Sequence, residues 1–216
     1  MEIKGLKINF LGDSITQGSG VSTVENTYWN LMKREYGAAV VRGYGISGTR
    51  IAKQLNPTDE NGGIDYLDFC TRYPEMDDDA DVVVVFGGTN DYGHGNAPLG
   101  SPTDRDPETF YGACHTLFCG LIEKYPDATI VVMTPLHRYW EEPECTPKNI
   151  HLSAYVNIIR EVAEFYALPT LDLWSCSSIQ PRVEANKQKY CPDGLHPNDA
   201  GHVLIASRLA GFLKTL

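Results

Sequence analysis

Short apolar runs alternate along the chain with longer stretches in which apolar residues recur every three or four positions. The run Val-Val-Val-Val-Phe at residues 82–86 predicts a buried strand, whereas the periodic spacing that starts at Phe110 predicts one face of a helix. Asp106 and Pro107 are predicted to begin that helix, as its N-cap and its first residue. The predicted strands are residues 6–11, 39–42, 82–86, 129–134 and 170–173, and the predicted helices are residues 27–36, 107–124, 153–166 and a last helix that Asn198 caps.

Strands that alternate with helices imply a parallel sheet that is covered by helices on both faces. No linker, internal repeat or low-complexity tract interrupts the 216 residues. We therefore predict a single α/β domain over residues 1–216, built in three layers (α/β/α) around a sheet of five parallel strands.

Composition and charge narrow the possible partners. The formal net charge of −10 and the pI near 5.0 argue against nucleic acid and against an anionic membrane surface. No apolar run approaches the roughly 20 residues that span a bilayer. No secretory signal is visible, and the six cysteines form no Cys-x-x-Cys pair. We expect a cytoplasmic protein with free thiols and no cofactor, unless a secreted chain has been trimmed of its signal.

Polar residues follow three of the predicted strands, in loops rich in glycine. Ser14 comes directly after the first strand, Gly48 lies in the loop after the second, and Asn90 follows the strand of valines. The carboxyl ends of parallel strands share one edge of a sheet, and ligands bind at that edge. These three residues are therefore expected to meet in one cleft.

Asp193 and His196 lie three residues apart near the other end of the chain. A serine nucleophile needs a base to take its proton and a third group to orient that base, so these two residues and Ser14 could form a triad. Each fragment alone also has a structural interpretation. Asp13 and Ser14 could cap a helix, and residues 191–194 form a good turn sequence.

Taken together, these segments resemble the GDSL/SGNH hydrolase superfamily, whose four signature blocks are centred on Ser, Gly, Asn and His. The blocks match in the family's order and span nearly the whole chain. The family's sheet is flavodoxin-like, which agrees with the predicted layers. The matching segments are residues 12–14, 47–48, 88–91 and 193–196.

The resemblance implies a role for each matched residue. Ser14 would be the nucleophile, His196 the general base and acid, and Asp193 the group that orients the imidazole. The backbone N–H groups of Ser14 and Gly48 and the side-chain amide of Asn90 would form an oxyanion hole. The chain departs from the family at two positions that carry none of these roles: Ile15 replaces the leucine of the family's name, and Gly43 stands where many relatives have an asparagine.

Loops at the same edge of the sheet are expected to bind the substrate. On position alone we predict that Tyr92, His137, Tyr139 and Trp140 wall the pocket, with Arg138 as a further polar contact. The alternative is that these side chains anchor their loops to the body of the protein. The loop after Asn90 has no long apolar insertion, which favours small polar esters, with acetyl groups on sugars as the first choice. Lysophospholipid or thioester hydrolysis, and carbohydrate binding without catalysis, remain the alternatives.

Two further features have simpler interpretations. The aspartates of residues 77–81 could suggest a metal site, but their place just before a buried strand favours a solvated turn. The histidines show no metal-ligand spacing. His202 is expected to be structural, whereas His94 and His137 lie in loops at the predicted cleft.

Overall fold

The centre of the fold is a sheet of five parallel strands in the order β2-β1-β3-β4-β5. A computed structural model describes residues 1–60 and 62–216 of the chain. The winding reverses between β1 and β3, as in flavodoxin-like sheets. The predicted three-layer fold with five parallel strands is confirmed. The strands are β1 Lys7–Gly12, β2 Val40–Gly45, β3 Val82–Phe86, β4 Thr129–Met133 and β5 Thr170–Leu171.

Helices follow the strands and form the two outer layers. The α-helices are α1 Ser14–Gln17, α2 Tyr28–Arg34, α3 Phe69–Arg72, α4 Thr89–Gly93, α5 Phe110–Lys124, α6 Leu152–Phe165, α7 Leu173–Cys176, α8 Glu184–Tyr190 and α9 Asp199–Leu213. Short 3-10 turns are formed by Val24–Asn26, Ile64–Tyr66, Tyr73–Glu75 and Pro143–Cys145.

Alternate residues of the strands pack on opposite faces of the sheet. In β3, Val83 and Val85 join the apolar cluster under α5 and α6. Val82 and Val84 belong instead to the cluster under α2 and α9. All four valines are buried, and burying such a side chain contributes about 1.5–3 kcal/mol. Coverage of both faces explains why this strand is an uninterrupted apolar run.

β2 is longer than predicted, and its last residues lie against α1. The strand continues past residue 42 to Gly45. A Cβ atom at Gly45 would lie 2.1 Å from the backbone nitrogen of Gln17, so a side chain here would push α1 away from β2. The close approach brings the loop after β2 next to the first helix.

The predicted start of α5 is wrong. The helix begins at Phe110, and the hydroxyl of Thr109 caps it by accepting from the backbone N–H of Gly112 at 3.1 Å. Asp106 accepts instead from the N–H of Glu108 at 2.9 Å and closes a separate turn. Residues 106 and 109 both carry cap-type side chains, and the loop before α5 selects the second, since the N–H of Phe110 donates to the carbonyl of Pro98 at 2.8 Å.

The aspartates of residues 77–81 and the cysteines agree with what the sequence predicted of them. The aspartates at 77, 78 and 79 are exposed and pair with Arg42, Lys124 and Lys7 at the amino end of the sheet. All six cysteines are free thiols. Among the described residues, none of the helices combines the length and apolar character needed to cross a membrane.

His202 joins α9 to α2 inside the core. Its Nδ1 accepts from the backbone N–H of Tyr28 at 2.9 Å, and its ring stacks on the Tyr28 ring with centroids 5.9 Å apart. The side chain is fully buried, and burial lowers its pKa to about 4. His202 is therefore neutral in the folded protein at neutral pH, in the structural role expected of it.

This burial makes His202 a source of acid sensitivity. The pKa of His202 is about 4 in the folded protein, against an ordinary value of 6.5 for a histidine in the unfolded chain. Between these two pH values the unfolded chain binds more protons than the folded protein, so stability falls as the pH drops from 6.5 to 4. In His202→Asn the amide oxygen can still accept from the N–H of Tyr28. Between pH 7 and pH 5, we expect the free energy of unfolding of this variant to fall by about 1–2 kcal/mol less than that of the native protein. Urea unfolding at both pH values measures this, and equal losses would contradict it.

Candidate active site

Ser14 is placed at the carboxyl end of β1 by an abrupt change from strand to helix. The side chain of Asp13 caps α1 by accepting from the N–H of Ile15 at 3.0 Å, and Ser14 is the first residue of the helix. A Cβ atom at Gly12 would lie 1.9 Å from Oγ1 of Thr16, so a side chain there would block the turn. Ser14 is only 6% exposed and lies at the floor of the cleft.

His196 and Asp193 lie beside Ser14, although they are far from it in the sequence. The imidazole Nε2 of His196 is 3.0 Å from Oγ of Ser14, and its Nδ1 is 2.7 Å from Oδ2 of Asp193. A carboxylate can only accept, so Nδ1–H donates to Asp193 and Nε2 is left to accept the proton of the hydroxyl. The three residues predicted to form a triad are thus joined by one chain of hydrogen bonds.

The turn of residues 193–196 orients the carboxylate as well as the imidazole. Oδ1 of Asp193 accepts from the backbone N–H groups of Leu195 and His196, at 2.8 and 2.7 Å. Partial burial raises the pKa of Asp193, but these hydrogen bonds and the imidazole outweigh burial and hold the pKa below its ordinary value. The carboxylate therefore remains charged in mildly acidic solution.

The three donors predicted to form an oxyanion hole follow the carboxyl ends of β1, β2 and β3. Gly48 lies in the loop after β2 with φ +78°, and Asn90 is the second residue of α4. The amide nitrogen of Asn90 donates one hydrogen to the carbonyl of Thr49 at 3.0 Å, which leaves its second N–H uncommitted. Within the described residues, the backbone N–H groups of Ser14 and Gly48 have no hydrogen-bond acceptor. The arrangement can stabilise a developing negative oxygen.

Arg72 is a functional residue that the sequence did not reveal. Its buried guanidinium donates to the carbonyls of Gly12, Tyr44 and Leu67 and to the hydroxyl of Thr49, at 2.7–3.0 Å. Burial lowers its pKa to about 10, so it is still charged at neutral pH. It holds the ends of β1 and β2 and the Gly48 loop in one arrangement. In the sequence, its role is suggested only by the presence of a basic residue close to the aromatic residues Phe69 and Tyr73.

Asp91 was also missed, although it belongs to a matched block. Its two carboxylate oxygens accept from the backbone N–H groups of Ile51 and Ala52, both at 2.9 Å. Burial raises its pKa to about 6 despite these hydrogen bonds. Asp91 fastens α4 to the segment that follows Gly48 and so fixes the distance between two of the donors.

Tyr139 and Trp140, which were predicted to wall the pocket, form an exposed rim beside the turn that carries His196. They are 40% and 51% exposed, and their rings form an edge-to-face pair with centroids 5.0 Å apart. The backbone N–H of Tyr139 donates to the carbonyl of Gly194 at 2.8 Å. This hydrogen bond joins the aromatic loop to the turn that carries His196.

His137 and Arg138 lie deeper than these aromatic residues. Nδ1 of His137 lies 3.0 Å from the carboxylate of Glu141, and its ring packs on Trp174 with centroids 3.7 Å apart. Both residues line a small cavity together with Leu195 from the triad turn. His137 thus serves to anchor the loop as well as to line the cavity.

The prediction for Tyr92 is wrong. The side chain is 1% exposed, its hydroxyl donates to the carbonyl of Glu142 at 2.9 Å, and its ring packs against Tyr155. Each helical residue turns by about 100°, so Tyr92 leaves α4 on nearly the opposite side from Asn90. It anchors α4 to the body of the protein and does not wall the pocket.

Comparison with known proteins identifies the family. The model of the GDSL-like Lipase/Acylhydrolase family matches residues 10–204. One solved structure is 33% identical and covers 100% of this chain and 99% of its own, with a TM-score of 0.87. A protein from Lactobacillus plantarum is 30% identical, covers 99% and 98% of the two chains, and has a TM-score of 0.85.

A more distant solved structure, the acetyl xylan esterase AlAXEase, is 25% identical, covers 95% of this chain and 98% of its own, and has a TM-score of 0.65. No curated protein sequence matches the chain. The family model covers most of the chain, including all four matched blocks up to His196, and the predicted GDSL/SGNH membership is confirmed. The chain belongs to the GDSL-like lipase/acylhydrolase family and is a carboxylic ester hydrolase.

Proposed function

We propose that the protein is a serine esterase that removes short acyl groups, acetyl above all, from carbohydrate esters. The observation that carries this proposal is the continuous hydrogen-bond chain from Asp193 through His196 to Ser14, with distances of 2.7 and 3.0 Å. These distances are within the reach required for a general base and its nucleophile.

In the proposed reaction, Oγ of Ser14 attacks the ester carbonyl carbon while Nε2 of His196 takes the hydroxyl proton. The carbonyl oxygen becomes an oxyanion, which accepts from the N–H groups of Ser14 and Gly48 and from the amide of Asn90. The tetrahedral intermediate collapses, the C–O bond to the alcohol breaks, and His196 gives its proton to the departing alcohol. Water then attacks the acyl-enzyme by the same steps and releases the acid and Ser14.

Asp193 supports both halves of this reaction. Its charge stabilises the imidazolium that forms when His196 holds the proton, and its hydrogen bond keeps Nε2 free to act as the base. The lowered pKa of Asp193 means that its carboxylate stays ionised in mildly acidic solution. Activity should therefore fall on acidification with the uptake of a single proton, and a flat profile between about pH 5 and 9 would contradict a histidine base.

Two features of the cleft support a short acyl group on a sugar. Ser14 is nearly enclosed, and its two neighbours in the chain, Asp13 and Ile15, line a small cavity together with Leu195. At the rim, Tyr139 and Trp140 expose aromatic rings, which offer flat apolar faces to a sugar ring. The likeness to an acetyl xylan esterase over nearly the full length favours the same class of substrate.

Removing the hydroxyl of Ser14 tests its role as the nucleophile. We expect Ser14→Ala to lower the turnover of p-nitrophenyl acetate by at least about a thousandfold, because no other group can form the acyl-enzyme. Ser153→Ala, which changes a serine at the start of α6, serves as the matched control and should retain activity. The ratio of acetate to butyrate hydrolysis measures the acyl preference, and a preference for butyrate would contradict the acetyl assignment.

Asp193→Asn tests the orientation of the base. The amide oxygen can still accept from the N–H groups of Leu195 and His196, so the turn should keep its shape. The amide N–H, however, would donate to Nδ1 and force the proton onto Nε2, which then cannot accept from Ser14. We expect kcat to fall on the order of ten thousandfold without a change in thermal stability. A loss below tenfold would mean that another group orients His196.

Trp140→Ala tests the sugar-binding surface. Loss of an exposed aromatic face of this kind should raise KM for acetylated xylo-oligosaccharides roughly three- to tenfold, and should raise KM for p-nitrophenyl acetate much less. Phe165→Ala removes another exposed aromatic side chain, on α6, and is the control. Equal KM changes in the two variants would show that Trp140 does not contact the sugar. Preferential hydrolysis of lysophospholipids or thioesters would point to the alternative substrates.

A further inference from the structure

A line of polar side chains leads away from the oxyanion-hole amide into the protein. Oδ1 of Asn90 lies 3.1 Å from Nε2 of His94, and Nδ1 of His94 lies 2.8 Å from Nη2 of Arg50. Nη1 of Arg50 is held at 2.6 Å by Oδ1 of Asp65, and both side chains of this ion pair are largely buried. The line thus runs from the carboxylate of Asp65, in the 3-10 turn Ile64–Tyr66, to the amide of Asn90.

The direction of each hydrogen bond follows from the donor inventory. A guanidinium can only donate, so Nδ1 of His94 must accept from Arg50. A neutral imidazole then carries its proton on Nε2, and this N–H donates to Oδ1 of Asn90. Burial first, and then the charges of Arg50 and Arg138, lower the pKa of His94 to about 4, which keeps the ring in this neutral form.

The line decides which way the amide of Asn90 faces. With its oxygen bound to His94, its nitrogen is directed to the carbonyl of Thr49 at 3.0 Å, and its second N–H is left for the substrate oxygen. A rotation of the amide by 180° would place an oxygen lone pair where the oxyanion develops and would repel it. The donor therefore depends on a hydrogen bond made on its far side.

Arg50 is not explained by packing alone. Its Nε is buried and has no partner among the described residues, which is an unfavourable state for a charged group. Two of the other four N–H groups of this guanidinium donate to Asp65 and His94. A role of Arg50 in orienting the imidazole of His94 would explain why this buried, unpaired N–H is tolerated.

We propose that His94, oriented by Arg50, is a positioning residue that fixes the amide of Asn90 as an oxyanion-hole donor. The inference rests on the esterase function proposed above and adds a residue that acts through another and does not touch the substrate. Because the effect is on transition-state charge, it should appear in kcat and leave KM nearly unchanged.

A matched pair of variants tests the position of the donor. Nε2 of a glutamine can occupy the place of the imidazole Nε2, whereas the shorter asparagine places its nitrogen near Nδ1. We expect His94→Gln to retain kcat within about threefold, and His94→Asn and His94→Ala to lose roughly ten- to a hundredfold with little change in KM. His115→Ala, which changes a histidine on α5, should keep full activity.

A double-mutant cycle separates positioning from general stability. If His94 acts through Asn90, His94→Ala should cost almost nothing further in an Asn90→Ala background. Losses that multiply, equal losses in the glutamine and asparagine variants, or an effect confined to KM would overturn the proposal.

Wild-type protein provides a readout that needs no variant to fold. Nitrogen NMR of the native histidines should find the proton of His94 on Nε2, and a proton on Nδ1 would overturn the inference. Ser14→Ala separates a failure of the esterase mechanism from a failure of the role of His94. Activity that survives this change would overturn both the esterase mechanism and the role of His94, whereas loss of activity together with equal glutamine and asparagine variants would overturn only the role of His94.

Discussion

One buried charge holds the cleft together. The guanidinium of Arg72 is surrounded by three carbonyls and a hydroxyl, all within 3.0 Å, at the ends of β1 and β2. A charge taken out of water costs several kcal/mol unless it is surrounded by partners, so these oxygens cannot move apart without a large loss in stability. Ser14 lies two residues after Gly12, and Gly48 lies between Tyr44 and Thr49 in the chain. The separation of the backbone N–H groups of Ser14 and Gly48 is therefore set by the same interaction that makes burial of Arg72 tolerable.

Two carboxylates near the cleft also hold separate parts of the structure together. Asp193 uses one carboxylate oxygen to shape its own turn and the other to orient His196. Asp91 uses both oxygens to fasten α4 to the segment after Gly48. Each carboxylate fixes a distance between two pieces of backbone that lie far apart in the sequence, or between a backbone and a ring. The rigidity of the site comes from these charge-assisted hydrogen bonds, in addition to the packing of the sheet.

The sequence predicted the parts of the fold that depend on local pattern. The strand at residues 82–86 was placed without error because a run of valines buried on both faces has few other structures open to it. Ser14, Asp193 and His196 were singled out because Ser14 follows the end of a strand and all three match known blocks. The start of α5 was missed because Asp106 and Thr109 are both cap residues, and contacts with a distant loop decide between them. Tyr92 was misplaced because nothing in the sequence reveals that α4 turns it away from the cleft. Arg72 and Arg50 could not be assigned, since their partners are backbone carbonyls and side chains brought together only by the fold.

The hydrogen bond from the N–H of Tyr139 to the carbonyl of Gly194 joins the rim of the cleft to the turn that carries the base. The position of this loop and the position of the triad turn are consequently coupled through the backbone, whatever side chain stands at position 139. Any residue with a backbone N–H can make this hydrogen bond at position 139, but proline is excluded there because it has no N–H to donate. An engineer who exchanges the loop of residues 135–141 to alter specificity must keep that one donor, or the imidazole will lose its alignment with the serine.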